Sequence, residues 1–422
     1  MVGDLIETLF GAPSTLNVRC WDGSQLVGVA GAPTLVVRNR RALRRFIYSP
    51  NELGLARAYV SGDLDIEGDI YAALDFRSTE SARPDLELDK KAMARLIAAV
   101  ARLGVIGPPP KPPAEESKVR GALHSLRRDR AAVSYHYDVG NDFYALLLGS
   151  SMVYSCAYFD SPSMSLDDAQ SAKLELVCRK LELVPGTRML DVGCGWGSLA
   201  IHAARTYGVH VVGVTISAAQ AAFARARVAA SGLDHLVEIR LQDYREVAAG
   251  PYDAISSVGM AEHVGLDQLP RYAAILHGLL APGGRLLNHA IARGPAAGVD
   301  KPHPKSFLAR YVCPDGELQP LATHVGMLET AGFEVRDVEV LREHYALTCR
   351  AWVHNLEQHW DDAIAATSPG RARVWRLYLA GSALGFEQLR VGVNQVLAVK
   401  AGGVAGPSWL RRPAWGQRPT GP

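Results

Sequence analysis

The sequence has few cysteines and no long apolar run. Its six cysteines include no CxxC pair and no short framework spacing, which argues against a disulfide scaffold or a zinc site and indicates reduced thiols. No apolar stretch reaches the roughly 18 residues that a membrane helix needs, and no signal peptide is recognisable. We therefore expect a cytoplasmic protein without a bound metal, which could contact a membrane only from its aqueous side.

The chain also lacks a strong charge of either sign. Lys and Arg number 45 against 43 for Asp and Glu, a formal net charge of +2, so a nucleic-acid binder is not indicated. With 422 residues, 48% of them hydrophobic, the chain exceeds one ordinary core, and two domains are expected.

One stretch, RMLDVGCGWGSLA at Arg188–Ala200, has the pattern of a ligand site. An apolar strand containing Asp191 runs into Gly193, Gly195 and Gly197, after which a helical pattern begins. Glycines permit close approach of a ligand, and the first helical turn directs N–H groups towards it. The spacing D-x-G-x-G-x-G is neither the dinucleotide fingerprint nor a Walker loop, and by itself it is equally consistent with a tight strand–helix connection.

Further alternation of strands and helices supports the site interpretation. Strand-like runs follow at His210–Ile216, Val237–Leu241, Tyr252–Met260 and Gly283–Ile291. This alternation predicts an α/β fold with a doubly wound, mostly parallel sheet. Ligands bind such sheets at the carboxyl ends of the strands, where this chain carries polar residues.

A proline-rich segment, GPPPKPP at Gly107–Pro113, divides the chain. Residues 1–106 are predicted to be a small α+β accessory domain, 107–117 a stiff linker, 118–401 the main domain and 402–422 a loose tail. In the small domain, Arg38–Phe46 (RNRRALRRF) is predicted to be a basic strand-to-helix connection. It is either a solvated face or a patch for anionic headgroups.

A basic, amphipathic segment opens the main domain at Lys118–Arg130 (KVRGALHSLRRDR). Arg120, Arg127, Arg128 and Arg130 could lie on a membrane surface, or the segment could be an ordinary surface helix. The aromatic stretch that follows, Val133–Gly149, is consistent with simple core packing.

Several motifs in the same order resemble those of the cyclopropane fatty acid synthases. They are the glycine turn, TISAAQ (Thr215–Gln220), LQDYR (Leu241–Arg245), EHVG (Glu262–Gly265) and YSCAYF (Tyr154–Phe159). These enzymes use S-adenosylmethionine to methylate double bonds of membrane phospholipids. The resemblance, from about Val133 to Lys400, implies a seven-stranded class I methyltransferase (Rossmann-like) fold. It also implies that Val133–Gly149 caps the cofactor, flanks an acyl-chain tunnel and belongs to a lipid-facing N-terminal part of the domain.

The cofactor residues follow from the glycine turn, the strand ends and this resemblance. Gly193, Gly195 and Gly197 are assigned to the methionine end, Thr215 and Gln220 to the ribose, and Gln242, Asp243 and Tyr244 to the adenine. Tyr154 and Ser155 are expected to close over the cofactor, and Asp191 completes the set.

The family also uses a bound bicarbonate ion as the base beside the methyl group. The matching positions are Cys156, Glu262, His289, the backbone of Ile291, and Tyr345. Taken singly, His289 would be a core residue and Cys156 a small buried hydrophobe. The Glu262 carboxylate would lie beside this anion, and because like charges repel, its pKa would be raised and proton uptake favoured.

A finer resemblance favours one product. LGLARAYVSGDLDI near the N-terminus, PDGEL and NQVLAVK match an actinobacterial branch that makes 10-methylene fatty acids, which a separate reductase converts to 10-methyl branches. The expected substrate is an oleoyl-like phospholipid chain, reached from the inner, anionic membrane surface. Closure to a cyclopropane is the alternative product. A soluble small-molecule methyltransferase and a non-catalytic lipid carrier are the competing functions, and a homo-oligomer is left open.

Overall fold

The computed structural model describes residues 1–10, 15–75, 101–105, 107–117, 128, 135–137, 139–296 and 306–402. The chain divides into two compact units. The first comprises Met1–Lys118, His303–Pro314 and Trp360–Leu384, and the second comprises Val119–Pro302, Asp315–His359 and Gly385–Pro422. The first unit thus includes two segments that the sequence analysis assigned to the main domain. The boundaries at residues 106 and 117 stay a prediction.

The first unit contains a four-stranded sheet. Its strands are β1 (Asn17–Cys20), β2 (Gln25–Leu26), β3 (Thr34–Val37) and β4 (Leu64–Glu67), in the order β2-β1-β3-β4. β1 and β3 are parallel, and the other pairs are antiparallel. The helices of this unit are Val2–Phe10, Arg40–Tyr48, Glu52–Val60, Ile70–Asp75, Phe307–Tyr311, Trp360–Ala366 and most of Pro369–Glu387. The α+β composition agrees with the sequence analysis.

The arginine-rich segment is a helix and not a connection, so that prediction was wrong. Asn39 caps the helix by accepting a hydrogen bond from the N–H of Arg41, which starts the helix at Arg40. Arg45 donates to Asp63 at 2.9 Å, and Arg38 donates to Asp65 at 2.7 Å. Acidic side chains therefore partner much of this segment, which favours a structural face over a headgroup patch.

The proline-rich segment forms neither helix nor strand over residues 107–113, as predicted. Proline lacks an N–H group, so carbonyls here need donors from elsewhere. Within the first unit, Tyr48 donates its hydroxyl to the carbonyl of Gly107 at 2.8 Å, and Arg45 donates to that of Lys111 at 2.8 Å. The segment is thereby tied to the Arg40–Tyr48 helix.

The second unit contains a seven-stranded sheet. Its strands are β5 (Arg188–Val192), β6 (His210–Thr215), β7 (Val237–Leu241), β8 (Tyr252–Val258), β9 (Leu280–Arg293), β10 (Phe333–Val340) and β11 (Val391–Lys400). Their order is β10-β11-β9-β8-β5-β6-β7. β11 is antiparallel to both neighbours, and the pairs from β9 to β7 are parallel. The doubly wound, mostly parallel, seven-stranded prediction is confirmed.

Helices cover both faces of this sheet. They are Asn141–Leu148, Leu166–Lys180, Ser198–Tyr207, Ala218–Ala230, Ala261–Val264, Leu269–Leu279, Leu321–Thr330 and Arg342–Gln358. Met189 belongs to a core cluster with the helices Leu166–Lys180, Ser198–Tyr207 and Ala218–Ala230, and the next residue, Leu190, to a cluster with Leu269–Leu279. Successive strand residues face opposite sides, so the apolar run of β5 supplies both cores.

The sheet order sets the position of a ligand site. From β5 the chain adds β6 and β7 on one side, and then returns to place β8 and β9 on the other. The carboxyl ends of β5 and β8 therefore flank the switch point at which ligands of such sheets bind. Among the described residues, no helix is long and apolar enough to cross a membrane.

Candidate active site

The glycine turn lies directly after β5. Gly193 and Gly197 have φ angles of +76° and +80°, which L side chains rarely adopt, and Gly197 is the residue at which the helix Ser198–Tyr207 begins. A Cβ at Gly193 would lie 2.5 Å from Sδ of Met260. The N–H groups of Gly193 and Cys194 donate to the carbonyl of Val214 on β6, at 2.9 and 3.0 Å. The turn is thus held against the neighbouring strand.

Gly195 differs from the other glycines of the turn. Its φ is +54°, and a Cβ placed there would meet no heavy atom of the described residues within 4 Å. The space beside its backbone is open, and the N-terminus of the helix Ser198–Tyr207 follows three residues later. An open cradle beside a helix N-terminus suits the polar methionine end of a sulfonium cofactor.

The segment Tyr154–Tyr158 is fixed to the helix Leu166–Lys180 by buried hydrogen bonds. Gln170 Nε2 donates to the carbonyl of Ser155 at 2.9 Å, and the N–H of Tyr158 donates to the carbonyl of Ala169 at 3.0 Å. Lys173 Nζ donates to Ser155 Oγ at 2.9 Å. Ser155, which the sequence assigned to the cofactor, is therefore positioned by a buried lysine.

Lys173, which the sequence analysis did not assign, joins the candidate site through its contact with Ser155. It is 2% exposed, and burial lowers its pKa to about 8, against the field of Asp191. Burial also raises the pKa of Asp191 to about 6, while Ser256, whose hydroxyl donates at 2.7 Å, and Lys173 oppose the rise. The sequence pattern that could have predicted its burial is the helical spacing of Lys173 with Gln170 and Val177, which places all three on the buried face of the helix Leu166–Lys180.

The side chains after β6 form a local pair. Thr215 Oγ1 donates to Gln220 Oε1 at 2.9 Å, and both residues are buried. Ser217 caps the helix Ala218–Ala230 by accepting from the N–H of Gln220. The two proposed ribose contacts therefore lie together at the end of β6.

The residues after β7 are also brought to this edge. The N–H of Gln242 donates to the carbonyl of Thr215 at 3.0 Å, which joins the ends of β6 and β7. The Asp243 carboxylate accepts from the backbone N–H of Arg245 at 2.9 Å and from Nη2 of the same residue at 2.7 Å. The ring of Tyr244 lies edge-on to Tyr272, with centroids 5.6 Å apart.

Glu262 lies on the short helix after β8 and reaches β9. Its Oε1 accepts from the backbone N–H of Ile291 at 2.7 Å, while its buried Oε2 has no hydrogen-bond partner among the described residues. Burial raises the pKa of this carboxyl to about 7, and the bond from Ile291 opposes the rise. A carboxyl with this pKa exchanges a proton readily near neutral pH.

His289 lies two residues before Ile291 on β9, so their side chains share one face of the sheet. Its Nδ1 is 3.2 Å from Nε2 of Gln395 on β11, a residue that the sequence analysis did not assign. Its buried Nε2 has no partner in the described parts of the chain. Burial lowers the pKa of His289 to about 3, helped by the fields of Lys173 and Lys180, so the ring is neutral.

Cys156 and Tyr345 complete the predicted ion site. The Sγ atom of Cys156 lies 3.2 Å from the carbonyl oxygen of Ala157 and 3.6 Å from that of Leu341, so its one proton has two acceptors within reach. Burial raises the pKa of this thiol well above the ordinary value. An uncharged thiol bonded to the backbone is not a nucleophile. Tyr345 lies on the helix Arg342–Gln358, where its N–H donates to the carbonyl of Leu341 at 3.1 Å. Its ring stacks on that of Phe386, with centroids 4.6 Å apart.

Aromatic side chains connect these parts. Tyr154 lies 5.1 Å from Trp352 and 5.6 Å from Tyr144 between ring centroids. Tyr144 in turn lies 4.7 Å from Trp196, which belongs to the glycine turn. Tyr137, 6.4 Å from both Trp196 and His263, extends the cluster to the residue beside Glu262. These rings form one aromatic cluster between the segment at Tyr154, the glycine turn and the helix that carries Glu262.

The sheet order and the glycine turn define a class I S-adenosylmethionine-dependent methyltransferase, and the comparisons agree. The crystal structure of a mycolic acid cyclopropane synthase complexed with SAH and CTAB is 33% identical in sequence. It superposes with a TM-score of 0.60, covering 64% of this chain and 98% of the other.

The family is equally clear. The mycolic acid cyclopropane synthetase family model matches residues 124–396. A probable fatty acid methyltransferase of Mycobacterium tuberculosis is 41% identical over 412 residues, 95% of this chain and 94% of the relative. The tuberculostearic acid methyltransferase of that organism is 36% identical over 288 residues, 66% of this chain and 67% of the relative. The chain belongs to the mycolic acid cyclopropane synthetase family.

Proposed function

We propose that this enzyme methylates the cis double bond of an unsaturated, oleoyl-like phospholipid chain and then removes a proton to leave a 10-methylene group. The observation that carries the proposal is a pair of buried atoms, Glu262 Oε2 on the helix after β8 and His289 Nε2 on β9, that have no hydrogen-bond partner among the described residues. Such atoms are costly unless a ligand satisfies them. A separate reductase would convert the product to a 10-methyl branch.

The proposed cofactor site uses the cradle at Gly195 and the polar residues after β6 and β7. Bound S-adenosylmethionine would supply a methyl group already activated by the positive sulfonium. Tyr154 and Ser155 would close over it, with Ser155 held by Lys173. Thr215 and Gln220 are proposed to contact the ribose, and residues 242–244 the adenine.

The residues of the ion site fit bicarbonate. His289 Nε2 and Glu262 Oε2 together offer nitrogen and carboxyl partners, and Glu262 can change protonation state near neutral pH. Bound bicarbonate would supply a base of suitable strength beside the methyl group. We propose that the N–H of Ile291 acts by holding Glu262, because that carboxylate accepts its hydrogen bond. Tyr345 and the segment at Cys156 would close the remaining sides.

The chemistry requires a dry site more than a strong nucleophile. The π electrons of the alkene form the new carbon–carbon bond as the sulfur–methyl bond breaks, which leaves a carbocation on the acyl chain. Losing one proton restores neutrality, so the chain gains one CH₂ unit overall. The aromatic cluster of Tyr137, Tyr144, Tyr154 and Trp196 would exclude water from the cation. Orienting the alkene against the methyl is the other requirement.

Two products share every step up to the cation. Proton loss from the new methyl closes a cyclopropane, whereas a hydride shift before proton loss leaves a methylene branch (C=CH₂) on the chain. The relative named as a tuberculostearic acid methyltransferase supports the methylene product. The family description, a cyclopropane synthetase, supports the alternative.

We also propose that the enzyme reaches its lipid from the aqueous side, peripherally on the inner membrane face. The basic segment Lys118–Arg130 would contact anionic lipids, but it lies outside the described residues except for Arg128. Arg128 donates to both carboxylate oxygens of Asp315, at 2.7 Å each. Binding would therefore depend more on Arg120, Arg127 and Arg130.

The product is tested by expressing the chain in cells that contain oleoyl lipids and lack such enzymes. Mass spectrometry of the fatty acid esters should show a chain heavier by one CH₂ unit. Because the two products have equal mass, the esters are then treated with ozone. Ozone cleaves the methylene branch to a ketone and spares a cyclopropane. An ester that resists ozone would establish the cyclopropane alternative, and no heavier ester would contradict lipid methylation.

A further inference from the structure

The antiparallel pairing of β9 and β11 places His289 directly opposite Gln395. Gln395 is fully buried, and its carboxamide nitrogen lies 3.2 Å from Nδ1 of His289. A carboxamide nitrogen can only donate a hydrogen bond. With the carboxamide nitrogen on the side of His289, Nδ1 would be the acceptor, and the single ring proton of the neutral imidazole would lie on Nε2.

The identity of this tautomer decides what His289 offers to the site. Burial keeps the pKa of the ring near 3, so the imidazole is neutral and has one donor and one acceptor. With Nδ1 accepting from Gln395, the atom left for a ligand, Nε2, is an N–H donor. The reversed tautomer would present a bare nitrogen there, which could act as a base.

We propose that Gln395 is a positioning residue that fixes His289 as the Nε2–H tautomer, so that His289 donates a hydrogen bond to an anionic ligand and does not take up the proton. The ligand part of this inference rests on the proposed function. In the proposed function the bound anion takes the proton from the acyl chain, and Glu262, whose Oε2 is unpartnered among the described residues, is then the group that can receive it from the anion.

Substitution at Gln395 separates the two tautomers. In Gln395→Glu the side chain, when ionised, can only accept, so Nδ1 must carry a proton. In Gln395→Leu the side chain forms no hydrogen bond with His289, so neither ring nitrogen is favoured as the protonated one, and a mixture of tautomers is expected. Asn394→Ala is the matched control. Asn394 is also a buried amide on β11, but it is the residue next to Gln395, so its side chain lies on the opposite side of the sheet from His289.

The test is nitrogen NMR of the full chain labelled with ¹⁵N-histidine, with His289 identified by the resonances lost in His289→Asn. Wild type and Asn394→Ala should show a protonated Nε2 and an unprotonated Nδ1, while Gln395→Glu should show a protonated Nδ1. A protonated Nδ1 in the wild type would overturn the proposal without any variant. Unchanged His289 shifts in folded Gln395→Glu, at a pH where the new carboxyl is ionised, would overturn it as well.

Adding ¹³C-bicarbonate distinguishes this inference from the proposed function. The His289 Nε2 resonance of the wild type should move on titration, and that of Gln395→Glu should move much less. If the wild-type tautomer is as predicted but bicarbonate moves nothing, the ion site fails and the tautomer assignment stands.

Discussion

Glu262 accepts a 2.7 Å hydrogen bond from the backbone N–H of Ile291, which joins the helix after β8 to β9. The bond uses one carboxylate oxygen and leaves the other, Oε2, without a partner among the described residues. The carboxyl is thus fixed in direction while one atom stays available for a ligand. A proton acceptor needs this combination of fixed geometry and a pKa near neutrality.

Replacing Glu262 by Gln should preserve cofactor binding and abolish most turnover. The amide can still accept from Ile291 but cannot take up a proton, so kcat should fall by about 10²–10⁴, the range of general base catalysis. Wild-type activity should also fall in bicarbonate-depleted buffer and recover when bicarbonate is restored. The control is Glu329→Gln, at an exposed position. Near-normal turnover of Glu262→Gln, insensitive to bicarbonate, would place the base elsewhere.

The same carboxyl should make stability depend on pH. Its pKa is about 7 when folded and 4.5 in the reference state, so between these values the folded protein holds a proton that the unfolded chain has lost. Stability from this group is therefore lost as pH rises from about 4.5 to 7, by about 3 kcal/mol in total. Glu262→Gln should gain stability relative to wild type over that window, as measured by denaturant unfolding. A difference independent of pH would contradict the burial argument.

Gly195→Val should prevent S-adenosylmethionine binding while the fold survives. A side chain there would occupy the open space beside the turn, and the positive φ adds a strain of about 1–2 kcal/mol. Gly186→Val separates the two effects, because Gly186 also has a positive φ and open surroundings but lies before β5. Calorimetry should show lost affinity only in Gly195→Val. Unchanged affinity in a folded Gly195→Val protein would refute the cofactor assignment.

Lys173→Met should weaken S-adenosylmethionine binding by about tenfold or more, the value of one hydrogen bond to a charged group. The substitution removes the donor that holds Ser155. Lys180→Met is the matched control, since Lys180 is buried on the same helix but pairs with Asp337 and Glu339. It should lower the melting temperature and leave cofactor affinity unchanged. If both variants keep wild-type affinity, Lys173 has only a structural role.

Binding to anionic vesicles should weaken with added salt, because headgroup attraction is screened. Reversing the charges of Arg120, Arg127 and Arg130 should weaken it further, as a sedimentation assay would show. Arg128→Glu should have a smaller effect per residue, because that arginine is already paired with Asp315. Equal binding to neutral and anionic vesicles would favour the ordinary surface helix.

The sequence predicted the second unit well because its signals are local. Apolar runs, turn glycines and helical stripes each depend on a few neighbouring residues, and they gave the strands β5 to β9 within a few positions. They failed at Arg38–Phe46, where the Asn39 cap starts a helix that charge patterning concealed.

By itself, the sequence determined the fold class, the glycine turn and the polar residues at the strand ends, since each follows from short-range pattern and backbone geometry. Only the tertiary structure decided which side chains meet. Gln395 is 106 residues from His289 in the chain, and they pair because β11 inserts antiparallel beside β9. Lys173 is placed by the packing of one helix face, which buries its side chain beside Ser155. Partners so distant leave no local pattern, because sheet order and helix packing bring them together.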